Sequence, residues 1–221
     1  MMRDIEPHPG AQLGLDFGGG TQESDTSTTA VLIPTLLSEV YYFASFFGKT
    51  ESDFFFATLR ANTHWKEEQI ELYGKVMDVP RQTAWYGDNG KSYTDSKINA
   101  MAEPWTSALL VIKSRIEAVS GVRFNSVFLN LYKDGNDSVA WHSDDEPELG
   151  PHPIIGSVSL GESRRFQFRS REDSHVREEV FLHCGDYMLM KGQTQRFWAH
   201  RIPKTKTPCV ERINLTFRII P

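Results

Sequence analysis

The hydrophobic pattern changes character twice along the chain. Residues 1–29 show no period and are rich in Gly, Ser, Thr, Asp and Pro, ending in GGGTQESDTSTT. Such a segment has too little apolar surface to offset its ordering entropy, so residues 1–29 are expected to form a disordered tail. From Val31 apolar residues become frequent. Ser52 is placed to cap a helix running from Asp53 to about Arg60, with Phe54, Phe55 and Phe56 as its bulk. A strand is expected around Ile70–Val76. The stretch VPRQTAWYGDNGKSYT then reads as a loop, punctuated by Pro80, Gly87, Asn89 and Gly90. The clearest helix is 104–119, with Pro104 at its first position and Gly121 just past its end. Trp105, Leu109, Ile112, Ile116 and Val119 recur there at spacings of four, three, four and three, which is one buried helix face.

After Gly121 the period shortens to two. SVFLNLY, IIGSVSL, RRFQFRS, EEVFLH, DYMLM, RFWAHRI and ERINLTFRII are short runs rich in β-branched and aromatic residues, separated by Gly, Asp, Asn and Pro. Seven or eight such strands in about 100 residues predict an all-β sandwich or jelly roll. The fold class is therefore α+β, with a helical N-terminal layer on a C-terminal β core. We expect a single domain over 30–221, divided into a 30–120 extension and a 121–221 core.

Composition narrows the class without changing it. The 221 residues are 39% hydrophobic and 24% charged, with a net charge of −5, which fits a soluble globular protein and excludes a coiled-coil rod or a wholly disordered chain. No apolar run approaches membrane-spanning length, and the start MMRDIEPHPG lacks an apolar signal core. Cys184 and Cys209 have no metal-like spacing and are expected to be reduced thiols in an intracellular protein. The charge is uneven. Residues 161–221 carry 12 Lys/Arg against 7 Asp/Glu, so a basic C-terminal part permits local phosphate contact within an acidic whole.

Candidate chemistry begins at His142 and Asp144, which form His-x-Asp after a strand-like segment. On an extended backbone, residues two apart project from one face, so imidazole and carboxylate can converge on one cation. A further histidine would complete a two-His, one-carboxylate set that leaves positions open on Fe(II). His200 in RFWAHRI, 58 residues downstream, is preferred; His183 in FLHCGD, 41 downstream, is the rival. ERINLTFRII has two faces. Ile213, Leu215, Phe217 and Ile219 read as core, while Arg212, Asn214, Thr216 and Arg218 share the other side. Guanidiniums are rarely buried without an anion, so two on one strand face could together reach a small diacid, or else sit on a solvated strand face in surface ion pairs. Asn130 and Tyr132 likewise share one face of LNLY.

These pieces together resemble a known family. Asn-x-Tyr at 130–132, HSDDE at 142–146, His200 and RINLTFR at 212–218 are similar to the AlkB family of Fe(II)- and 2-oxoglutarate-dependent nucleic-acid dealkylases, nearest the branch of alkB homologs two and three. The block NLYKDGNDSVAWHSDDEPELGPHPIIGSVSLG and the segment VPRQTAWYGDNGKSYT carry the likeness, which covers about residues 70–221. The resemblance implies a double-stranded β-helix core, iron held by His142, Asp144 and His200, and 2-oxoglutarate held by Asn130, Tyr132, Arg212, Asn214 and Arg218. Arg212 would meet the distal carboxylate, and Arg218 would support the end near the metal. It also implies oxidative removal of N-alkyl groups from bases, with O2 consumed and formaldehyde, succinate and CO2 released. The target base must then be single-stranded or flipped out of a DNA or RNA duplex.

On the substrate side, Asp145 is expected to read the base edge, and Tyr93 is the first candidate to stack on it, with Trp85 and Tyr86 behind. Asp95 stands where relatives often carry an aromatic. Arg81, Lys75, Arg164, Arg165, Arg169 and Arg171 are candidates for phosphate contact, with strand alternation turning one member of the Arg164–Arg165 pair inward. A monomer with no membrane association is expected. Three other readings remain open at this level: the same centre acting on a protein or small molecule, a silent nucleic-acid-binding module, and a Zn(II) hydrolase.

Overall fold

The computed structural model describes residues 31–32, 38–72, 75–88, 92–95 and 98–221. In chain order the elements are β1 (Val31–Leu32), β2 (Ser38–Phe43), α1 (Lys49–Asn62), β3 (Lys66–Leu72), β4 (Lys75–Gly87), β5 (Ser92–Asp95), β6 (Ile98–Met101) and α2 (Ser107–Ser120). There follow β7 (Ser126–Tyr132), β8 (Val139–His142), β9 (Ile155–Gly161), β10 (Arg164–Ser170), β11 (Arg177–Leu182), β12 (Tyr187–Gly192), α3 (Thr194–Phe197), β13 (Trp198–Ile202) and β14 (Arg212–Arg218). The tail expected over 1–29 lies outside the described residues.

Two antiparallel sheets face each other as a jelly-roll sandwich. The larger runs β1-β2-β12-β9-β14-β7-β4-β3, and the smaller runs β11-β10-β13-β8. The 30–120 segment is woven into the larger sheet, since β2 pairs with β12 and β4 pairs with β7. Strand alternation explains the layering. On β14, Ile213, Leu215 and Phe217 pack with Leu109, Ile112 and Ile116 of α2 and with Phe55 and Leu59 of α1. The alternate side chains turn toward the second sheet, where Phe128, Tyr132, Phe166, Phe168, Trp198 and Met190 form the inter-sheet core.

Several local expectations need correcting. Ser52 lies inside α1 rather than capping it, and its buried hydroxyl donates to the Phe47 carbonyl. Pro104 precedes α2, whose N-cap is Thr106; the Thr106 hydroxyl accepts from the Leu109 amide. That side chain satisfies an end amide that proline at the first position leaves unmet. Gly121 closes the helix with φ 66°, a left-handed conformation that costs glycine little. Val119 drops off the buried face and is 48% exposed.

The VPRQTAWYG stretch is strand, not loop. Pro80 does not break β4 because it sits where the β3–β4 register shifts, between the paired segments. Its carbonyl accepts from the Ser138 amide. Gln82 to Gly87 then pair with Leu131 to Ser126 of β7.

Candidate active site

Each of the three candidate ligands is set by the smaller sheet. His142 ends β8 and lies directly opposite His200 on β13, so antiparallel pairing brings together residues far apart in sequence. Their ring centroids are 4.3 Å apart. Asp144 follows β8 by two residues, and its amide donates to the buried Gln195 side chain. Ligand atoms of His142, Asp144 and His200 all lie within 4.8 Å of one another, with Asp144 and His200 buried and His142 reaching solvent. His183 sits elsewhere: it is exposed, and its Nδ1 is 3.0 Å from the Ser163 hydroxyl.

Neighbouring groups fix the ligands' orientation and charge. His142 Nδ1 is 2.9 Å from the Ala140 carbonyl, which makes Nδ1 the donor and leaves the Nε2 lone pair free for a cation. Phe166 stacks on His200 with centroids 5.1 Å apart. Although part of His142 meets solvent, dehydration of its ring in the wall, and then the nearby His200, push its pKa down to about 4. Burial alone would raise the Asp144 carboxyl. The Arg218 charge and the His200 hydrogen bond outweigh it and hold Asp144 well below the ordinary carboxylate range. Arg218 Nη2 donates to Asp144 Oδ1 at 2.5 Å. The cluster is therefore an ionised carboxylate beside a neutral imidazole, which is the protonation that a divalent cation requires.

The same cavity, of about 400 Å3, extends from this cluster between the sheets to Arg212. Asn130, Tyr132, Asn214, Thr216 and Arg218 also line it. Register pairs them across β7 and β14, with Arg212 opposite Tyr132 and Asn214 opposite Asn130. Arg212 is 1% exposed, and dehydration pushes its guanidinium down to about 10, still cationic at neutral pH. Its Nη2 donates to the Ser159 hydroxyl, but its buried Nε and Nη1 have no hydrogen-bond partner among the described residues. A buried cation with two idle donors fits the far carboxylate of a diacid. Asn214 spends its amide hydrogens on the Ser157 hydroxyl and the Val158 carbonyl, while Asn130 Oδ1 accepts from Arg81 Nε.

The match of this sandwich to known proteins decides the family. Residues 39–218 match the model of the 2OG-Fe(II) oxygenase superfamily. The chain belongs to that superfamily. Its cofactors are Fe(II), 2-oxoglutarate as cosubstrate and O2, and the His-Asp-His cluster and the Arg212 donors fit the first two. The oxygenase is 40% identical to bovine alpha-ketoglutarate-dependent dioxygenase alkB homolog 3 over 85% of this chain and 68% of that protein. It is 38% identical to the rat homolog 3, spanning 66% of its length and 86% of this chain, and 38% identical to mouse DNA oxidative demethylase ALKBH2, over 79% of this chain and 77% of that one. The solved structure of OsALKBH1 superposes with a TM-score of 0.59 at 16% identity, covering 84% of this chain and 98% of that one, which speaks for the jelly-roll fold alone.

The substrate-side candidates fare less evenly. Trp85 and Tyr86 are buried on opposite faces of β4, Trp85 in the inter-sheet core and Tyr86 in the helix-side core. Neither ring offers a face to a base, which corrects their assignment as stacking residues. Tyr93 lies on β5, one strand of the β5–β6 hairpin. Asp145 is in a neighbouring surface cleft, ion-paired to Arg171 at 2.6 Å. Arg164 turns inward and Arg165 outward, as alternation requires, yet Arg164 donates to the carbonyls of Asp134, Asp137 and Pro203 and is spent on structure. Arg81, a candidate for phosphate contact, lines the cavity and donates to Asn130 Oδ1. Gln195 and Phe166 escaped the sequence reading entirely. For Phe166 a signal existed: it alternates with Phe168 on the strand that pairs with His200.

Proposed function

We propose that this oxygenase oxidatively removes N-alkyl groups from bases of the 1-methyladenine and 3-methylcytosine type in DNA or RNA, releasing formaldehyde, succinate and CO2. This is alkylation-damage repair on single-stranded or flipped-out bases. The carrying observation is one cavity that joins the His142–Asp144–His200 cluster to a buried, under-bonded Arg212, in a chain whose relatives include one named a DNA oxidative demethylase and one named an alpha-ketoglutarate-dependent dioxygenase. An intracellular site of action goes with this reading, and no helix among the described residues is long and apolar enough to cross a membrane.

When bound, Fe(II) and 2-oxoglutarate would supply, with O2 as the oxidant, the chemistry that hydroxylates an N-alkyl carbon, one oxygen atom going to that carbon and the other to succinate, and the hydroxylated group would leave as aldehyde. The chain's own residues do the positioning. His142, Asp144 and His200 would hold the metal. Arg212 anchors the cosubstrate's distal carboxylate, with Tyr132 beside it and Asn130 and Asn214 along the wall. Arg218 keeps Asp144 ionised. The apolar wall of Phe128, Phe166 and Met190 excludes water from the reacting end. Formaldehyde release decides the reading. Single- and double-stranded oligonucleotides carrying 1-methyladenine or 3-methylcytosine are incubated with 2-oxoglutarate, with and without Fe(II). Methyl-dependent formaldehyde and succinate are expected. Succinate formation indifferent to the methyl group would favour a protein or small-molecule substrate instead.

A further inference from the structure

The register between β3 and β4 breaks at one place. Glu67 lies opposite Gln82 and Gln69 opposite Asp78, so Glu68 falls within the irregularity. A bulge suspends strand alternation and re-aims the side chain that it carries. Neighbouring acids show the difference. Exposed Glu67 accepts from Lys133 and Gln82, and exposed Asp78 accepts from Gln69. Glu68 instead turns into the active-site cavity, beside Val79, Pro80 and Arg81. Its Oε2 is buried and has no hydrogen-bond partner among the described residues. A buried carboxylate oxygen is unfavourable until a donor or a cation reaches it.

We infer that Glu68 reads the alkylated base, accepting its exocyclic amino hydrogens and matching its positive charge. The inference rests on the demethylase reading above. 1-Methyladenine and 3-methylcytosine carry a delocalised positive charge at neutral pH, with an amino group next to the alkylated nitrogen. 3-Methylthymine is neutral and flanks its alkylated nitrogen with carbonyl oxygens on both sides. A carboxylate attracts the two cationic bases and repels 3-methylthymine. The acid expected to read the base, Asp145, is tied to Arg171 in the adjoining cleft, whereas Glu68 stands in the cavity wall with an oxygen to spare.

The test compares wild type with Glu68→Gln on single-stranded oligonucleotides bearing either 3-methylcytosine or 3-methylthymine. Formaldehyde release gives kcat and KM, fluorescence anisotropy gives binding to the metal-free protein, and melting checks the fold. Loss of one charge-assisted hydrogen bond lowers the cationic-to-neutral ratio of kcat/KM by about tenfold. The change is expected mainly in KM and in anisotropy, with an unaltered melting temperature. An unchanged ratio with active wild type, or an equal fall for both bases, overturns the role of Glu68 and leaves the demethylase reading standing. Wild type that releases no formaldehyde from either base overturns both.

Discussion

Arg212 and Tyr132 face each other across neighbouring strands, with the guanidinium carbon 5.2 Å from the ring centroid. The ring shields the cation without neutralising it, and two guanidinium nitrogens are left for a ligand. Arg212→Ala is therefore expected to raise the KM for 2-oxoglutarate by at least about tenfold, the worth of a lost charge-assisted bond. Oligonucleotide binding should change little. Succinate formation titrated against 2-oxoglutarate, beside anisotropy with labelled DNA, separates the two; a matched loss of both would remove Arg212 from the cosubstrate site.

The ligand cluster makes a prediction that distinguishes two histidines. His142→Ala and His200→Ala should each abolish stoichiometric Fe(II) binding and turnover, because two remaining ligands hold a divalent cation poorly. His183→Ala, altering a residue bonded at the surface to Ser163, should bind metal as wild type does. Metal content of anaerobically loaded protein reads the outcome directly. A dead His183→Ala alongside an active His200→Ala would reverse the assignment.

Protonation adds a pH dependence to the metal-free protein. His142 is pushed down to about 4 in the fold, whereas a histidine in the unfolded chain titrates near 6.5. Between those values the unfolded chain binds a proton that the folded one does not, so stability falls as pH drops from 6.5 toward 4. Asp144, also depressed, adds a further loss at lower pH, once its carboxyl is forced to protonate. Ring resonances of His142 should titrate near pH 4 by NMR, and the melting temperature of the metal-free protein should decline through that window. A midpoint above pH 6 would contradict the dehydrated, cation-flanked setting of its ring.

Arg218 and Asp144 are both buried and bonded at 2.5 Å. Removing one partner strands the other's charge, a change that typically costs about 3–5 kcal/mol. Arg218→Gln should lower unfolding free energy by that order in urea melts of the metal-free protein. It should also weaken Fe(II) binding at mildly acid pH, as the Asp144 carboxyl becomes easier to protonate. Wild-type stability in this variant would mean that Asp144 finds its compensation elsewhere.

Packing under α2 offers a control away from the chemistry. Ile116 is fully buried against the larger sheet, so Ile116→Ala should cost about 2–5 kcal/mol by leaving a cavity. Val119→Ala, at an exposed position, should cost much less. Denaturant midpoints of the two variants test whether the helix turns at Val119 as described.

How much of this was legible in the sequence depends on the range of the interaction involved. β14 could be read from its letters because alternation is local: each apolar residue marks the helix side, and Arg212, Asn214 and Arg218 mark the other. His142 and Asp144 were legible for the same reason. His200 could be nominated, but its placement opposite His142 depends on a pairing that no local pattern encodes. β4 was misread because Pro80 and Gly87 signal turns unless a register shift and a neighbouring strand accommodate them. Trp85 and Tyr86, candidates for stacking on a base, point to opposite faces of that strand and are buried in its two core layers. Ser52 misled because a serine beside a helix start caps only where the backbone is extended, and here the helix had already begun at Lys49.

The division of the cavity between the two sheets has a consequence for how activity is lost. The three residues proposed to hold iron belong to one wall and its immediate loop, while the groups proposed to grip the cosubstrate belong to the other. Neither wall is a half-enzyme. A chain that opened between the layers would forfeit both ligands in the same event, so inactivation by heat or denaturant should track separation of the sandwich rather than fraying at its edges.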